Sequence, residues 1–393
     1  MNILVINRNA FGQDDVIEIF KHLGHKVFVY DHKDITEHRN EEVQKEILEY
    51  VTKEDISLIF SYNYVPVVSI AIKDTKVKYI SYVYDSPNIA LYTYSIIYPC
   101  NYVFIFDYAV YEELRRGGIK TVYYLPLSVH SDRLEKTLAK KPFKGYTHDV
   151  SFIGSLYNEK HNFYERIMTA LGDKNDYIKG YLDSIVTAQS KVYGSFFIPE
   201  LLTKDVMDIL LEVFPYPQRA DSLATPEYVY AHYFLARKVA EIERTTLLSG
   251  ISENYNLSLY THSQTPSLPK VKNLGKVDYY DEMPFVFRDS KINLNITIRS
   301  IQTGLSQRVW DVLGCGGFLL TNYQMEIPEY LEIGKDLDCF ENAAELKEKV
   351  AYYLAHEEER IAIAKHGYET VKSKHTCKHQ VAEILKIVLT MHL

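Results

Sequence analysis

The chain opens on a short apolar run, NILVIN at residues 2–7, shifts to a helical period in DDVIEIFKHLG, and returns to an extended apolar run in KVFVYD. Gly24 falls where a helix C-cap is expected, so the three segments form one strand–helix–strand unit. The same rhythm continues through EVQKEILEYVTK, SLIFSYN, VKYISYVYD, YVFIFD, AVYEELRRGG and TVYYLPL. Strand-period and helix-period segments in alternation predict a mostly parallel, doubly wound sheet over residues 1–130.

Residues 131–148 are basic and polar with no sustained apolar period, which predicts an interdomain linker. A second alternation begins with DVSFIGS and is interrupted at about 157–235 by helical patterns such as NFYERIMTALG and KDVMDILLEVF. Strands NLSLYTH, KINLNITI, GGFLLTN and DLDCF, with helices between and after them, then rebuild the second sheet. The expectation is an α/β chain of two doubly wound, Rossmann-like domains facing a cleft, the second spanning 149–375 and carrying a helical insertion. A final helix over 376–393 is expected to pack back toward the N-terminal domain. In such folds ligands sit outside the carboxyl ends of the strands.

Composition narrows the chemistry. With 393 residues, 47% of them hydrophobic, the chain can bury two cores. A net charge of -8 provides no basic field for nucleic acid, so none is expected as a partner. Cys100, Cys315, Cys339 and Cys377 lack CxxC spacing, which fits a reducing cytoplasm better than a disulfide framework. The N-terminus has neither the basic start nor the long apolar core of a signal peptide, and no run is apolar enough to predict a transmembrane segment. Tyrosine is frequent, at 34 residues, which suits strand propensity and equally a sugar-binding cleft.

The first strand–helix turn, NRNAFGQDD, lacks GxGxxG, and GxxxxGK[ST] occurs nowhere, which removes most support for dinucleotide redox chemistry and P-loop hydrolysis. The informative segment is SIQTGLSQRVWDVLGCGGFLLTN, residues 300–322. A loop with Gly304 leads into a helix that presents Arg308 and Asp311 at i, i+3, and Gly316 and Gly317 end it before a strand. A helix N-terminus with an arginine suits a diphosphate, and a carboxylate one turn on can accept both ribose hydroxyls. An ordinary surface Arg–Asp pair reads the same way. Asp85, just after the strand YISYVY, could deprotonate an acceptor hydroxyl from a loop stiffened by Pro87, or could form an Asx-turn or helix cap. Asp14 and Asp15 share that ambiguity, and His130 falls at the edge of the expected cleft. Two metal-like patterns are better explained structurally: Asp336 with Asp338 runs from a strand into a helix, and on a helix Cys377 points away from His375 and His379. No metal site is expected.

The 300–322 segment resembles the C-terminal signature of GT-B glycosyltransferases, and more closely the group related to the spore-maturation protein CgeB. SYVYDSPN, YYLPLSVH, HDVSFIGSLYNEK, GKVDYYDEMPFVFRDSKINLN and HTCKHQVAEIL look similar to the same group in the same order. The resemblance implies a nucleotide-sugar donor held mainly by the C-terminal half, without a metal or other cofactor. The acceptor would be a hydroxyl of a glycan, protein or small molecule, with bacterial cell-envelope glycans suggested. In the wider retaining group two glutamates are spaced eight apart, the second five residues before the glycine that ends the signature helix. Asp311 matches the second, while the first falls on Thr303, a departure from the pattern. The resemblance further implies that Gly154 and Ser155 turn backbone N–H groups to the diphosphate, with Asn158 and Lys160 nearby. His262 could contact the donor base. Asp85 as base suggests inversion and the paired acids suggest retention, and the residues leave both open. Rival readings are a nucleotide-sugar-binding protein without catalysis and a GT-B-like epimerase or phosphorylase.

Overall fold

The structure is a computed structural model and describes residues 1–159 and 162–390. Its residues divide into two compact units: Met1–His130 with Arg219–Ala224 and the C-terminal stretch from Lys374, and Ser131–Gln218 with Thr225–Ser373.

The first unit holds a six-stranded, all-parallel sheet. Its strands are β1 (Asn2–Ile6), β2 (Lys26–Tyr30), β3 (Leu58–Tyr62), β4 (Lys78–Tyr82), β5 (Asn101–Ile105) and β6 (Val122–Tyr124), in spatial order β2-β1-β3-β4-β5-β6. β3 and β5 are buried at every position, as parallel strands covered by helices on both faces must be. Their apolar runs lack polar alternation for that reason. The helix Gln13–His22 follows β1 and packs against the C-terminal helix Cys377–Thr390, which belongs to this unit.

The second unit repeats the architecture with β7 (His148–Ile153), β8 (Leu257–Tyr260), β9 (Lys272–Asn273), β10 (Ser290–Asn295), β11 (Leu319–Asn322) and β12 (Asp338–Phe340), ordered β12-β11-β10-β7-β8-β9 and all parallel. The chain runs outward from β7 in one direction to β8 and β9 and in the other through β10 to β12. The strand order therefore reverses between β7 and β10, the position where open α/β sheets bind ligands. Val150, Phe152, Leu257, Leu259, Ile292, Leu294 and Phe340 form its core with Leu247, Leu248 and Ile251 of the helix Ala236–Ser252.

Between β7 and β8 every regular element of the described chain is a helix, Asp176–Gln189 among them. Residues 131–139, read from sequence as linker, instead form the helix Ser131–Ala139. Its buried face is only Ser131, Leu134 and Thr137, too few apolar positions to register as a period. Among the described residues no helix is long and apolar enough to cross a membrane.

Candidate functional site

The crevice between β7 and β10 is closed by a residue to which no sequence motif pointed. Arg244 projects from the helix Ala236–Ser252 and donates to the Ser155 carbonyl at 2.6 Å and the Ile296 carbonyl at 2.5 Å, bridging the carboxyl ends of the two strands. Its guanidinium lies over the rings of Phe152 and Tyr157, 5.4 and 4.8 Å from their centroids. Burial pulls its pKa down, with Tyr157 and Glu243 opposing and Arg308 adding to the fall. Beside it Glu243 Oε1 accepts from Arg299 at 2.7 Å, both side chains being buried, and Arg299 stacks 3.9 Å from the Tyr193 ring centroid. Burial raises the Glu243 pKa, and Arg299 counters it. Glu243 Oε2 and the Nε atoms of Arg244 and Arg299 are buried without a hydrogen-bond partner, an unusual concentration of unsatisfied charged groups.

The signature helix, Gln307–Gly314, begins after Ser306, whose φ of -63° and ψ of 154° are those of an N-cap. The Ser306 hydroxyl makes no cap bond and is buried without a partner. Arg308 is 24% exposed, lies over Phe287 and stands 3.6 Å from Asp311 Oδ2. Asp311 is only 2% exposed, and its Oδ1 accepts from Tyr279 Oη at 3.1 Å and Gln307 Nε2 at 3.0 Å. The sequence pair is thus a half-buried arginine held by an enclosed carboxylate rather than a surface pair. Asp311 Oδ2 has no hydrogen-bond partner.

Other expected residues are placed as follows. Thr303 donates to Glu326 Oε1 at 2.6 Å, and Glu326 N donates back to the Thr303 carbonyl at 3.2 Å. A buried carboxylate therefore stands beside the position where the family acid is absent. Gly304 is buried, and its carbonyl accepts from Gln324. The Gly154 amide, expected to face a diphosphate, instead donates to the Tyr260 carbonyl at 3.1 Å, because that residue still continues the β7–β8 ladder. Ser155 spends its hydroxyl on Glu159 and the Tyr157 amide. Asn158 donates to the Gln264 carbonyl, His262 is exposed 3.8 Å from Glu159, and Lys160 lies outside the described residues. Asp336 is bound by His366 and Thr370, and Asp338 by Lys349 and Tyr353. Among the described residues no three His, Cys, Asp or Glu side chains gather as a metal-binding group.

Asp85 and His130 belong to the first unit. Asp85 is exposed and accepts from Asn63 Nδ2 at 2.7 Å, while Asn63 Oδ1 accepts from the amides of Tyr84 and Asp85 at 2.9 and 3.0 Å. Asn63 adopts a φ of 58° to make this clamp, so the carboxylate is presented by a fixed loop. His130 is buried, 3.1 Å from Asp15 Oδ2 but off the axis of its ring N–H, and within hydrogen-bonding reach of Cys377. Its ring lies so close to Gly12 that a Cβ there would stand 2.3 Å from it, and Gly12 has a φ of 82°. Burial works to lower the His130 pKa, but Cys377 and Asp15 together push it up to about 10. A folded-state value above the ordinary 6.5 means that this stabilisation is complete below 6.5 and is lost as pH rises through about 10. Wild-type protein should therefore lose denaturation resistance across that window more steeply than His130→Gln, as followed by circular dichroism. Equal slopes would show that His130 is not charged in the folded state.

Two parallel, doubly wound six-stranded sheets in one chain, the second with buried unsatisfied charged groups at its switch point, have the architecture of the GT-B glycosyltransferase fold. Residues 236–386 match a family profile described as "Glycosyl transferase-like". A glycosyltransferase from Rickettsia africae ESF-5 is 13% identical, with 99% of each chain covered and a TM-score of 0.56. Anabaena Alr3699/HepE, solved in complex with UDP and glucose, is 10% identical with 100% of each chain covered and a TM-score of 0.56. Sucrose-phosphate synthase from Thermosynechococcus elongatus is 12% identical, with 99% of each chain covered and a TM-score of 0.52. An uncharacterized protein of Aquifex aeolicus (strain VF5) is 27% identical over 106 residues, which span 26% of this chain and 26% of that relative. The chain thus carries a glycosyltransferase-like segment on a GT-B fold, and the matched segment includes Glu243, Arg244, Arg299, Arg308 and Asp311.

Proposed function

We propose that the chain moves a sugar from a nucleotide-sugar donor to an acceptor hydroxyl, with the donor held by the second unit. The observation that carries this reading is the uncapped Ser306 helix end together with Arg244, Arg299 and Arg308 around the β7–β10 crevice. Three guanidinium groups against the carboxylates of Glu243 and Asp311 leave one positive charge in excess, and a diphosphate supplies the missing anion. These cations offset the charge that develops on the diphosphate as the bond from the anomeric carbon to its oxygen breaks, so no metal is invoked. Asp311 orients Arg308 through Oδ2, and its enclosed carboxylate is the group on which a ribose hydroxyl would bond. Asp85 would take the acceptor proton, its geometry fixed by Asn63. Glu326 returns a carboxylate to the neighbourhood of Thr303, which favours an active enzyme over a binding protein that has lost catalysis. A relation to the CgeB group and an acceptor among cell-envelope glycans rest on the ordered sequence motifs.

Incubation with UDP-, GDP-, dTDP- and CMP-linked sugars is expected to release free nucleotide from one donor class, slowly to water and faster with a suitable acceptor. Asp311→Asn should lower that release while the protein stays folded. Nucleotide binding without release from any donor would instead support the non-catalytic reading.

A further inference from the structure

A second concavity lies wholly within the first unit. The loop after β2 contributes Glu37, His38 and Arg39, and residues 219–221 of the helical insertion form the opposite wall of a cavity of about 440 Å³. The insertion segment is tied to the unit's own backbone. Tyr94 N donates to the Asp221 carbonyl at 3.1 Å, Leu223 N donates to the Tyr92 carbonyl at 2.7 Å, and Thr93 and Ser222 form an antiparallel bridge. The cavity therefore has two defined walls, at the carboxyl end of an edge strand, the side on which such sheets receive ligands.

The charges lining it are unevenly committed. Asp221, 8% exposed, pairs with Arg39 at 3.4 Å, and Glu37 at the rim accepts from Asn40 Nδ2 at 2.9 Å. Arg219 and His38 remain facing each other. His38 Nδ1 is buried with no hydrogen-bond partner. Burial first and the Arg219 charge second hold its imidazole below the usual range, with only Asp221 opposing. A guanidinium and an unbonded imidazole nitrogen turned on one cavity, with the neighbouring acids engaged elsewhere, suit an anion that bonds both and favours the imidazolium.

We propose that this cavity binds a phosphate-class anionic group carried by the acceptor substrate, held between Arg219 and His38. Its assignment to the acceptor rests on the glycosyl-transfer reading, whereas the anion site itself does not. A phosphate monoester can take a forked pair of N–H bonds from Arg219 and a third from His38 Nδ1, and its charge favours the imidazolium. The charged groups around His38 are Arg219 and Asp221 from the insertion, which shift its equilibrium, and Glu37 and Arg39 from its own loop, which line the cavity with it.

The test uses the full chain and the His38 ring proton resonance, assigned by its loss in His38→Gln. At fixed ionic strength, inorganic phosphate and methyl phosphate are each expected to raise the His38 titration midpoint by about one pH unit relative to chloride. Arg219→Gln should remove that shift and leave nucleotide binding at the wild-type level. Identical titrations in phosphate and chloride, or a shift that survives Arg219→Gln, would overturn the site. A response to inorganic phosphate but not to methyl phosphate would mark a site for the free ion and overturn the acceptor assignment. Should wild-type protein bind no nucleotide while His38 still responds to phosphate, the glycosyl-transfer reading fails and the anion site stands.

Discussion

Arg308→Ala is expected to lower sugar transfer by about 10²–10³-fold, the loss typical of removing one preorganised group that faces developing charge. The fall should lie mostly in kcat, because the diphosphate gains charge only as the glycosidic bond breaks. Folding should be little affected. The side chain is 24% exposed, and the enclosed Asp311 keeps its hydrogen bonds from Tyr279 and Gln307 when the guanidinium is removed. Arg308→Lys retains the charge but not the planar fork and should recover only part of the rate. Steady-state nucleotide release, read beside a denaturation curve for each variant, separates these effects. Transfer near the wild-type rate in Arg308→Ala would remove this helix from the catalytic site.

Glu243→Ala should destabilise the second unit by about 3–5 kcal/mol, since it leaves Arg299 buried without its carboxylate and adds to the uncompensated charge beside Arg244. Trp310, the single tryptophan of the chain, is 0% exposed and sits on the Arg308 helix, so its fluorescence reports the unfolding of this unit. Replacing Glu243 and Arg299 together by apolar residues of similar size should return much of the loss, because the buried Arg299 charge then vanishes as well. A shift within about 0.5 kcal/mol for Glu243→Ala, the range of ordinary surface changes, would mean that water reaches the pair. The nucleotide should partly rescue Glu243→Ala if the cluster and the donor share one site, since a ligand of the folded state adds stability by mass action.

The fold was legible because its signals are local. The parallel strands other than β9, which is the two exposed residues Lys272–Asn273, announce themselves as short apolar runs such as NILVIN or KINLNITI, and most helices between show a helical period. Ser131–Ala139 escaped because only three of its positions are buried and two of those are polar, whereas Ile178, Leu182, Ile185 and Val186 of Asp176–Gln189 do carry a helical period. The candidate site was half legible. Arg308 and Asp311 sit one helical turn apart and are visible in a line of sequence. Glu243, Arg244 and Arg299 converge from a helix and a strand-end loop that lie 55 or more residues apart in the chain, and nothing local marks them. An arginine and a glutamate side by side on an otherwise apolar helical face, as Glu243 and Arg244 are between Val239, Ala240 and Leu247, was the one signal available. Gly154 misled for a related reason: a glycine after a strand reads as a phosphate turn, but whether its amide is free depends on how far the neighbouring strand extends.

The most direct test of the donor site is a titration of Trp310 fluorescence with UDP, GDP, dTDP and CMP at constant ionic strength. A saturable change with one nucleotide, weakened in Arg308→Ala and in Arg244→Lys but kept in Arg219→Gln, is the result expected of a donor bound between the β7–β10 crevice and the Ser306 helix end. A titration that is flat for every nucleotide, or a response that Arg308→Ala and Arg244→Lys leave untouched, would contradict it.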